Sequence, residues 1–309
     1  MDPGCHSRRA FLSLPAALLA PAGTRRRIVF VAGRKSHGFG EHAHNTSSLL
    51  MARLLEESLP QVEAVVCRDG WPANDVVFDH AAAVVLYMDG GDRHPILPRL
   101  EALDRLMRRG AGLVALHYAL VVPEGQARAR MLDWLGGYYE PGWSVNPFWT
   151  ARFETLPEHP VTRGVKPFSI HDEWYYHMRF REGMEGVTPI LTAVPPDATR
   201  ERPFGPHSGN PAVRARRGMP EHVAWAFERP GKGRGFALTG AHYHWSLAHD
   251  GFRTLLLNGI AWAAGVEVPA GGVAPRQPGW DELMAHQEGT APAGFSPEAA
   301  RALISPRAK

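Results

Sequence analysis

Four short apolar runs, separated by stretches of helical period, constrain this chain more than any other feature. Residues 27–33 (RIVFVAG) are apolar and β-branched without alternation, which is the pattern of a strand covered on both faces. Residues 62–68, 81–88 (AAAVVLYM) and 111–118 (AGLVALHY) repeat it. Between them, residues 47–58 place Leu50, Leu54 and Leu55 at helical spacing, and residues 97–108 form an amphipathic segment stopped by Gly110. The order β-α-β-β-α-β predicts an α/β fold: a doubly wound, mostly parallel sheet flanked by helices. Sheets of this kind take ligands outside the carboxyl ends of their strands. His37 follows the first run, Asp89 the third, and His117 ends the fourth, so polar chemistry collects where the fold rule expects it.

The second half is less regular. Trp134, Tyr138, Tyr139, Trp143, Phe148 and Trp149 make an aromatic-rich insertion broken by glycine and proline. It reads either as a loop packed on the domain edge or as a wall for stacking sugars, since aromatic faces suit carbohydrate C–H groups. Residues 222–228 and 234–239 read as a strand pair joined through the turn 229–233. Residues 251–264 read as a closing helix with Phe252, Leu255, Leu256, Gly259 and Ile260 on one face. From residue 269 onward the chain is rich in Pro, Ala and Gly, either an extension wrapping the domain or a partly disordered tail. The resulting division is a signal segment at 1–22, a main domain at 23–268 and the extension at 269–309.

The signal segment rests on Ser7-Arg8-Arg9-Ala10-Phe11-Leu12, a twin-arginine pattern, followed by an apolar stretch and the small-residue site Ala20-Pro21-Ala22. It predicts an exported, periplasmic protein. No run of about 18 apolar residues occurs, so no membrane span is expected. The net charge of +3 and the short arginine clusters read as solvated surface, not as a nucleic-acid stripe. Cys5 and Cys67 are the two cysteines; with Cys5 in the signal segment, no internal disulfide is expected, and Cys67 reads as a small buried apolar group.

Sixteen histidines are the unusual count. Residues 36–45 hold His37, Glu41, His42 and His44 among glycines that let the backbone turn. His37, His42 and His44 together suggest a divalent metal such as zinc, although their spacing fits no standard zinc signature. His117 sits where a strand-to-helix turn projects one side chain upward, and would serve as general base, ligand or hydrogen-bond donor. Asp172 and Glu173 are adjacent on a strand and point to opposite faces, so one acts and the other supports, unless they pair with Arg179 or Arg181. His242 and His244 alternate in the strand sense and would share a face. His117, Asp172, Glu173 and His242 form the candidate proton-transfer set. Asp89, Tyr118, Trp143, Tyr175, His207, Asn210, His244 and Trp245 are the candidate substrate contacts, with residues 205–210 as a lid or a solvated turn.

These residues resemble the ThuA-like (trehalose utilisation) family. The matching pieces are the Ser36-His37-Gly38 loop, Leu116-His117-Tyr118-Ala119, Asp172-Glu173-Trp174-Tyr175, and Gly240-Ala241-His242 followed by a helix ending Trp262-Ala263-Ala264-Gly265. The resemblance spans about residues 27–268. It implies the class I glutamine amidotransferase-like, flavodoxin-like fold, with histidine at the elbow where those enzymes carry cysteine, so glutaminase chemistry by a thiolate is not expected. The family name also links it to trehalose or a keto-sugar, and the histidines and carboxylates suggest acid–base processing of such a carbohydrate. The alternative is a non-catalytic sugar-binding or metal-binding protein of an exported complex. No nucleotide cofactor and no nucleic-acid partner are expected, and a homo-oligomer is left open.

Overall fold

The computed structural model describes residues 25–201, 207, 209–273 and 276–307. The twin-arginine segment lies outside the described residues. The four apolar runs form β1 (Arg26–Ala32), β2 (Val62–Cys67), β3 (Ala81–Tyr87) and β4 (Gly112–Leu116), with α1 (His44–Ser58) and α2 (Leu100–Arg108) between them. There follow α3 (Gln126–Leu135), β5 (Gly137–Tyr138), β6 (Phe148–Phe153), β7 (Phe168–Glu173), β8 (Arg179–Phe180), β9 (Val187–Ala193), α4 (Pro211–Arg214), β10 (Glu221–Glu228), β11 (Arg234–Leu238) and α5 (Asp250–Ala263). The extension adds α6 (Trp280–Met284) and α7 (Pro297–Ile304).

The main sheet has seven strands in the order β2-β1-β3-β4-β11-β10-β9. β1 pairs in parallel with β2 and β3, β4 with β3 and β11, and β10 runs against both of its neighbours. This is the mostly parallel, doubly wound sheet expected. Alternate residues of each strand enter opposite cores. Ile28, Phe30, Val85 and Leu116 pack with Leu54 of α1 and Leu256 of α5, whereas Val29, Val84 and Leu113 pack with Leu103 of α2 and Met131 of α3. Burial on both faces is why these strands read as unbroken apolar runs.

Several elements differ from the sequence reading. α1 begins at His44 rather than Ser47, so His44 is a helical residue. The irregular second half contains the strands β6 and β7, paired antiparallel in a separate two-stranded sheet, and β9 at the sheet edge. β6 and β7 bury only part of their surface: exposed Phe148 and Arg152 alternate with buried Trp149, Ala151 and Phe153. Cys67 is half-buried at the end of β2. The extension wraps the domain, with Ala300 and Ile304 of α7 and Leu283 of α6 buried against it. Among the described residues no helix is long and apolar enough to cross a membrane.

Gly112 opens β4 where the strand passes the end of α5. A Cβ there would lie 2.1 Å from the carbonyl oxygen of Ala263, a backbone atom that cannot rotate aside. Gly112→Ala should therefore destabilise by about 1–3 kcal/mol, the usual scale for overpacking. Thermal unfolding checks this: a fall of several degrees is expected, and an unchanged midpoint would contradict the close approach of α5 to β4.

Candidate functional site

Four segments bring the site together at the carboxyl edge of the sheet. His117 follows β4 directly and takes a left-handed backbone, φ 55°, which a residue with a side chain adopts only when its surroundings enforce it. Its Nδ1 lies 2.8 Å from the carbonyl oxygen of Thr239, just beyond β11. A carbonyl only accepts, so Nδ1 carries the hydrogen and Nε2 of the neutral ring presents a lone pair. His42 is also left-handed, φ 41°. Its Nδ1 donates to Asp89 Oδ1 at 2.7 Å, so its Nε2 is likewise a lone pair. His242 arrives on the loop after β11, and two backbone bonds lace that loop to the His42 loop. The His42 amide donates to the His242 carbonyl at 3.0 Å, and the His244 amide to the Gly40 carbonyl at 2.8 Å. Glu173 ends β7.

The side chains meet in a ring. His42 Nε2 lies 3.1 Å from His117 Nε2 and 3.1 Å from His242 Nδ1. Glu173 Oε2 closes it, 3.2 Å from His117 Nε2 and 3.1 Å from His242 Nδ1. All four donor atoms lie within 4.8 Å of one another, and all four residues are buried. Zinc–nitrogen bonds of about 2.0–2.1 Å in a tetrahedron place ligand atoms about 3.3 Å apart, close to the spacing of this ring. The partners behind the ring also suit a metal. Imidazole ligands commonly donate their other N–H to a carboxylate or a backbone carbonyl, as His42 does to Asp89 and His117 to Thr239. Three imidazoles and a carboxylate are a fitting donor set for zinc or a similar first-row ion.

Burial and close contact set the charges of the ring. Burial opposes the charge on Glu173, but the close approach of His117 and His242 wins and holds its carboxyl well below the usual range. Burial likewise opposes a proton on His242, yet the bonds to Glu173 and Glu41 carry it up to about 9. Burial first, and then the neighbouring imidazoles, hold His42 far below an ordinary histidine. Asp172, fully buried, does not reach the ring. Its Oδ1 accepts from the His242 amide at 3.0 Å and its Oδ2 from Ala241 N and Ser246 Oγ at 3.1 and 3.0 Å. It holds the loop whose Ala241 is forced to φ 83°. The alternation read from the sequence is thus kept: Glu173 faces the site and Asp172 supports it from behind. Neither pairs with Arg179 or Arg181, which turn to Glu140 and to Asp133 and Glu185.

Of the ring, His42, Glu173 and His242 floor a cleft of about 840 Å³, with His117 buried behind them; His37, Tyr118, Tyr175, His207 and Asn210 line it among the other foreseen residues. Tyr175 is buried, with its hydroxyl 3.1 Å from His117 Nε2. Asn210 caps α4 and donates to the Trp143 carbonyl. His207 is exposed, its Nδ1 3.3 Å from Glu173 Oε1. Of the three histidines expected to bind metal together, only His42 enters the ring. His37 stacks on it at 3.6 Å and stands exposed at the mouth. His44 turns away because helix α1 starts there. Its Nδ1 meets the Arg34 carbonyl and its Nε2 lies 3.6 Å from Asp89. His244 does not share a face with His242, because a tight helical turn, not a strand, begins at it. It is fully buried against Ser47, and burial holds it down near 4. Trp245 packs beneath Gly40, and Trp143 stacks on His177 and under Arg179, so neither lines the cleft.

Five more residues line the cleft beyond the foreseen contacts: Asp92 and Asn146, Glu41, noted only within the histidine-rich segment, and Tyr139 and Phe148, named only in the possible stacking wall. Asn146 donates to Glu173 Oε1 at 2.9 Å, and the Phe148 ring stands edge-on to His242 at 4.9 Å. Glu41 sits inside the histidine-rich segment and Asp92 follows Gly90-Gly91 at a strand end, which are readable signals. Asn146 and Phe148 depend on the pairing of β6 with β7, and β6 carries no comparable signal.

A comparison with curated proteins returns no match. Among solved structures, a ThuA-like protein from Bacteroides uniformis is 16% identical at a TM-score of 0.55, the alignment covering 81% of this chain and 95% of that one. A ThuA-like protein from Parabacteroides merdae is 17% identical at 0.53, covering 82% and 98%. A glutamine amidotransferase from Thermotoga maritima aligns more loosely, 9% identical at 0.41, covering 70% and 76%. The family model named ThuA and described as trehalose utilisation matches residues 28–263, which include every side chain of the ring. The chain belongs to the ThuA family.

Proposed function

We propose that this protein processes a carbohydrate, of the trehalose or keto-sugar kind, by metal-assisted acid–base chemistry in the cleft. The observation that supports it most is the ring of His42, His117, His242 and Glu173, three of which, His42, Glu173 and His242, face the cleft. A divalent ion held there would polarise a substrate oxygen and make a neighbouring C–H or O–H proton easier to remove. Three of the four groups foreseen for proton transfer would thus hold the ion. Asp172 would position His242. Glu173 stays charged at neutral pH and accepts rather than donates. Burial keeps the Tyr175 hydroxyl protonated, so it donates. Glu41 and His37 stand at the mouth, where a proton can pass to solvent. Tyr118, Tyr139 and Phe148 offer ring faces and edges for sugar C–H groups.

The family description, trehalose utilisation, supports a carbohydrate substrate. A thiolate route is not available in the cleft: Cys67, on β2, is the one cysteine among the described residues and does not line it. The twin-arginine pattern supports export.

Calorimetric titration with zinc should show one ion bound per chain. Glu173→Gln keeps the shape and removes the charge, and should weaken binding by more than the about 10–100-fold typical of losing a supporting partner. Turnover of a keto-sugar or glycoside by the zinc-loaded protein, lost in that variant, is the expected outcome. Sugar binding without turnover would replace the enzyme with a binding protein.

Asp172→Asn places an amide against buried N–H donors. It should lower stability by about 1–3 kcal/mol in chemical denaturation. A variant as stable as the parent would show that the loop does not depend on Asp172.

Changing both Arg8 and Arg9 to lysine should hold the precursor inside the cell, followed by fractionation and blotting. Unchanged export of that variant would remove the twin-arginine reading.

A further inference from the structure

The family match ends at residue 263, yet residues 276–307 reach the histidine loop from below. The route is a stack of aromatic rings. Gly40, with φ 73°, lies so close over Trp245 that a Cβ would come within 2.4 Å of its ring. Trp245, almost fully buried, rests on Trp280 of α6 with centroids 5.7 Å apart and planes 26° apart. It also meets Phe295, before α7, at 5.0 Å. Phe295 in turn touches Phe39 of the histidine loop itself, edge to face at 5.3 Å. Polar ties fix the same region: Asn45 donates to Glu288 at 3.1 Å and Thr46 to the His286 carbonyl at 2.6 Å. Arg53 on α1 pairs with Glu282 at 3.0 Å.

We infer that Trp280 and Phe295 are positioning residues for the site, acting through Trp245 and Phe39 on the loop that presents His42 to His242. The backbones of the two histidine loops are tied by two hydrogen bonds, which together form one short bridge at Glu41 and Tyr243. Neither loop is part of the seven-stranded sheet. The register of that contact sets the 3.1 Å approach of His42 to His242, and the rings beneath Gly40 and Trp245 supply the apolar floor that keeps it. The extension is then a working part of the site. This rests on the reading that the His42–His242 contact is functional, but its test does not require a metal.

Hydrogen–deuterium exchange on the full chain reads the loop directly. In Trp280→Ala, and separately in Phe295→Ala, the amides of His42 and His244 should exchange about tenfold faster, while those of β4 keep their parental rate. Trp280→Phe, which keeps a ring, should restore the parental rate at both. Zinc affinity should fall about tenfold in the alanine variants. Unchanged exchange at His42 and His244 would overturn the inference. Equal acceleration in β4 would also overturn it, by showing a general loss of stability. Where the alanine variants fail to fold, Gly40→Ala tests the same contact from above, with the same pattern expected. If the parent protein binds no zinc, the metal proposal fails while the exchange result still decides this one.

Discussion

Two imidazole lone pairs that face each other at 3.1 Å, beside a third ring and a buried carboxylate, need positive charge at their centre. His42, His117, Glu173 and His242 are each at most 4% exposed, so solvent screens the repulsion only weakly. A proton on His242 meets part of the requirement by pairing with Glu173, but it leaves His42 and His117 pointing nitrogen at nitrogen. The proposed divalent cation would satisfy all four groups at once. The surroundings suit it. Asp89 and Thr239 fix which ring nitrogen is free, Asn146 takes the outer oxygen of Glu173, and Asp172 anchors the loop that brings His242.

The sheet explains why these groups can be held so close. β1, β3, β4 and β11 run parallel and end at one edge, so the loops that follow them converge there without any long excursion. His42 comes from the loop after β1, Asp89 from the end of β3, His117 from β4 and His242 from the loop after β11. The left-handed backbones at His42, His117 and Ala241 are strained positions, and all three belong to this cluster. Strain of about 1–3 kcal/mol at each is tolerated where buried hydrogen bonds over-determine the geometry. Only Glu173 arrives from outside the main sheet, on β7.

Much of this was legible in the sequence, and the reasons for the exceptions are physical. The parallel sheet was readable because two-sided burial leaves unbroken apolar runs. The place of His117 was readable because strand ends are where such sheets bind ligands, whereas Asp89, read as a substrate contact, does not line the cleft and instead holds His42. The local histidine cluster misled. His37, His42 and His44 are near in sequence, but a helix begins at His44 and rotates it away, so proximity along the chain did not become a shared centre. The ring is instead assembled from residues as much as 200 apart, His42 and His242, which no local spacing rule reveals. His244 was misplaced for a related reason: alternation was assumed where the chain turns. The strand β6 was missed because it mixes polar and aromatic residues and lies outside the main sheet, and with it went the place of Asn146 beside Glu173.

The measurement closest to the central claim is X-ray absorption at the zinc edge on protein loaded with one equivalent of the ion. The account predicts a coordination shell of nitrogen and oxygen at about 2.0–2.1 Å, with scattering from three imidazole rings that drops to two in His117→Ala. A shell of water oxygens, or imidazole scattering that His117→Ala leaves unchanged, would contradict it.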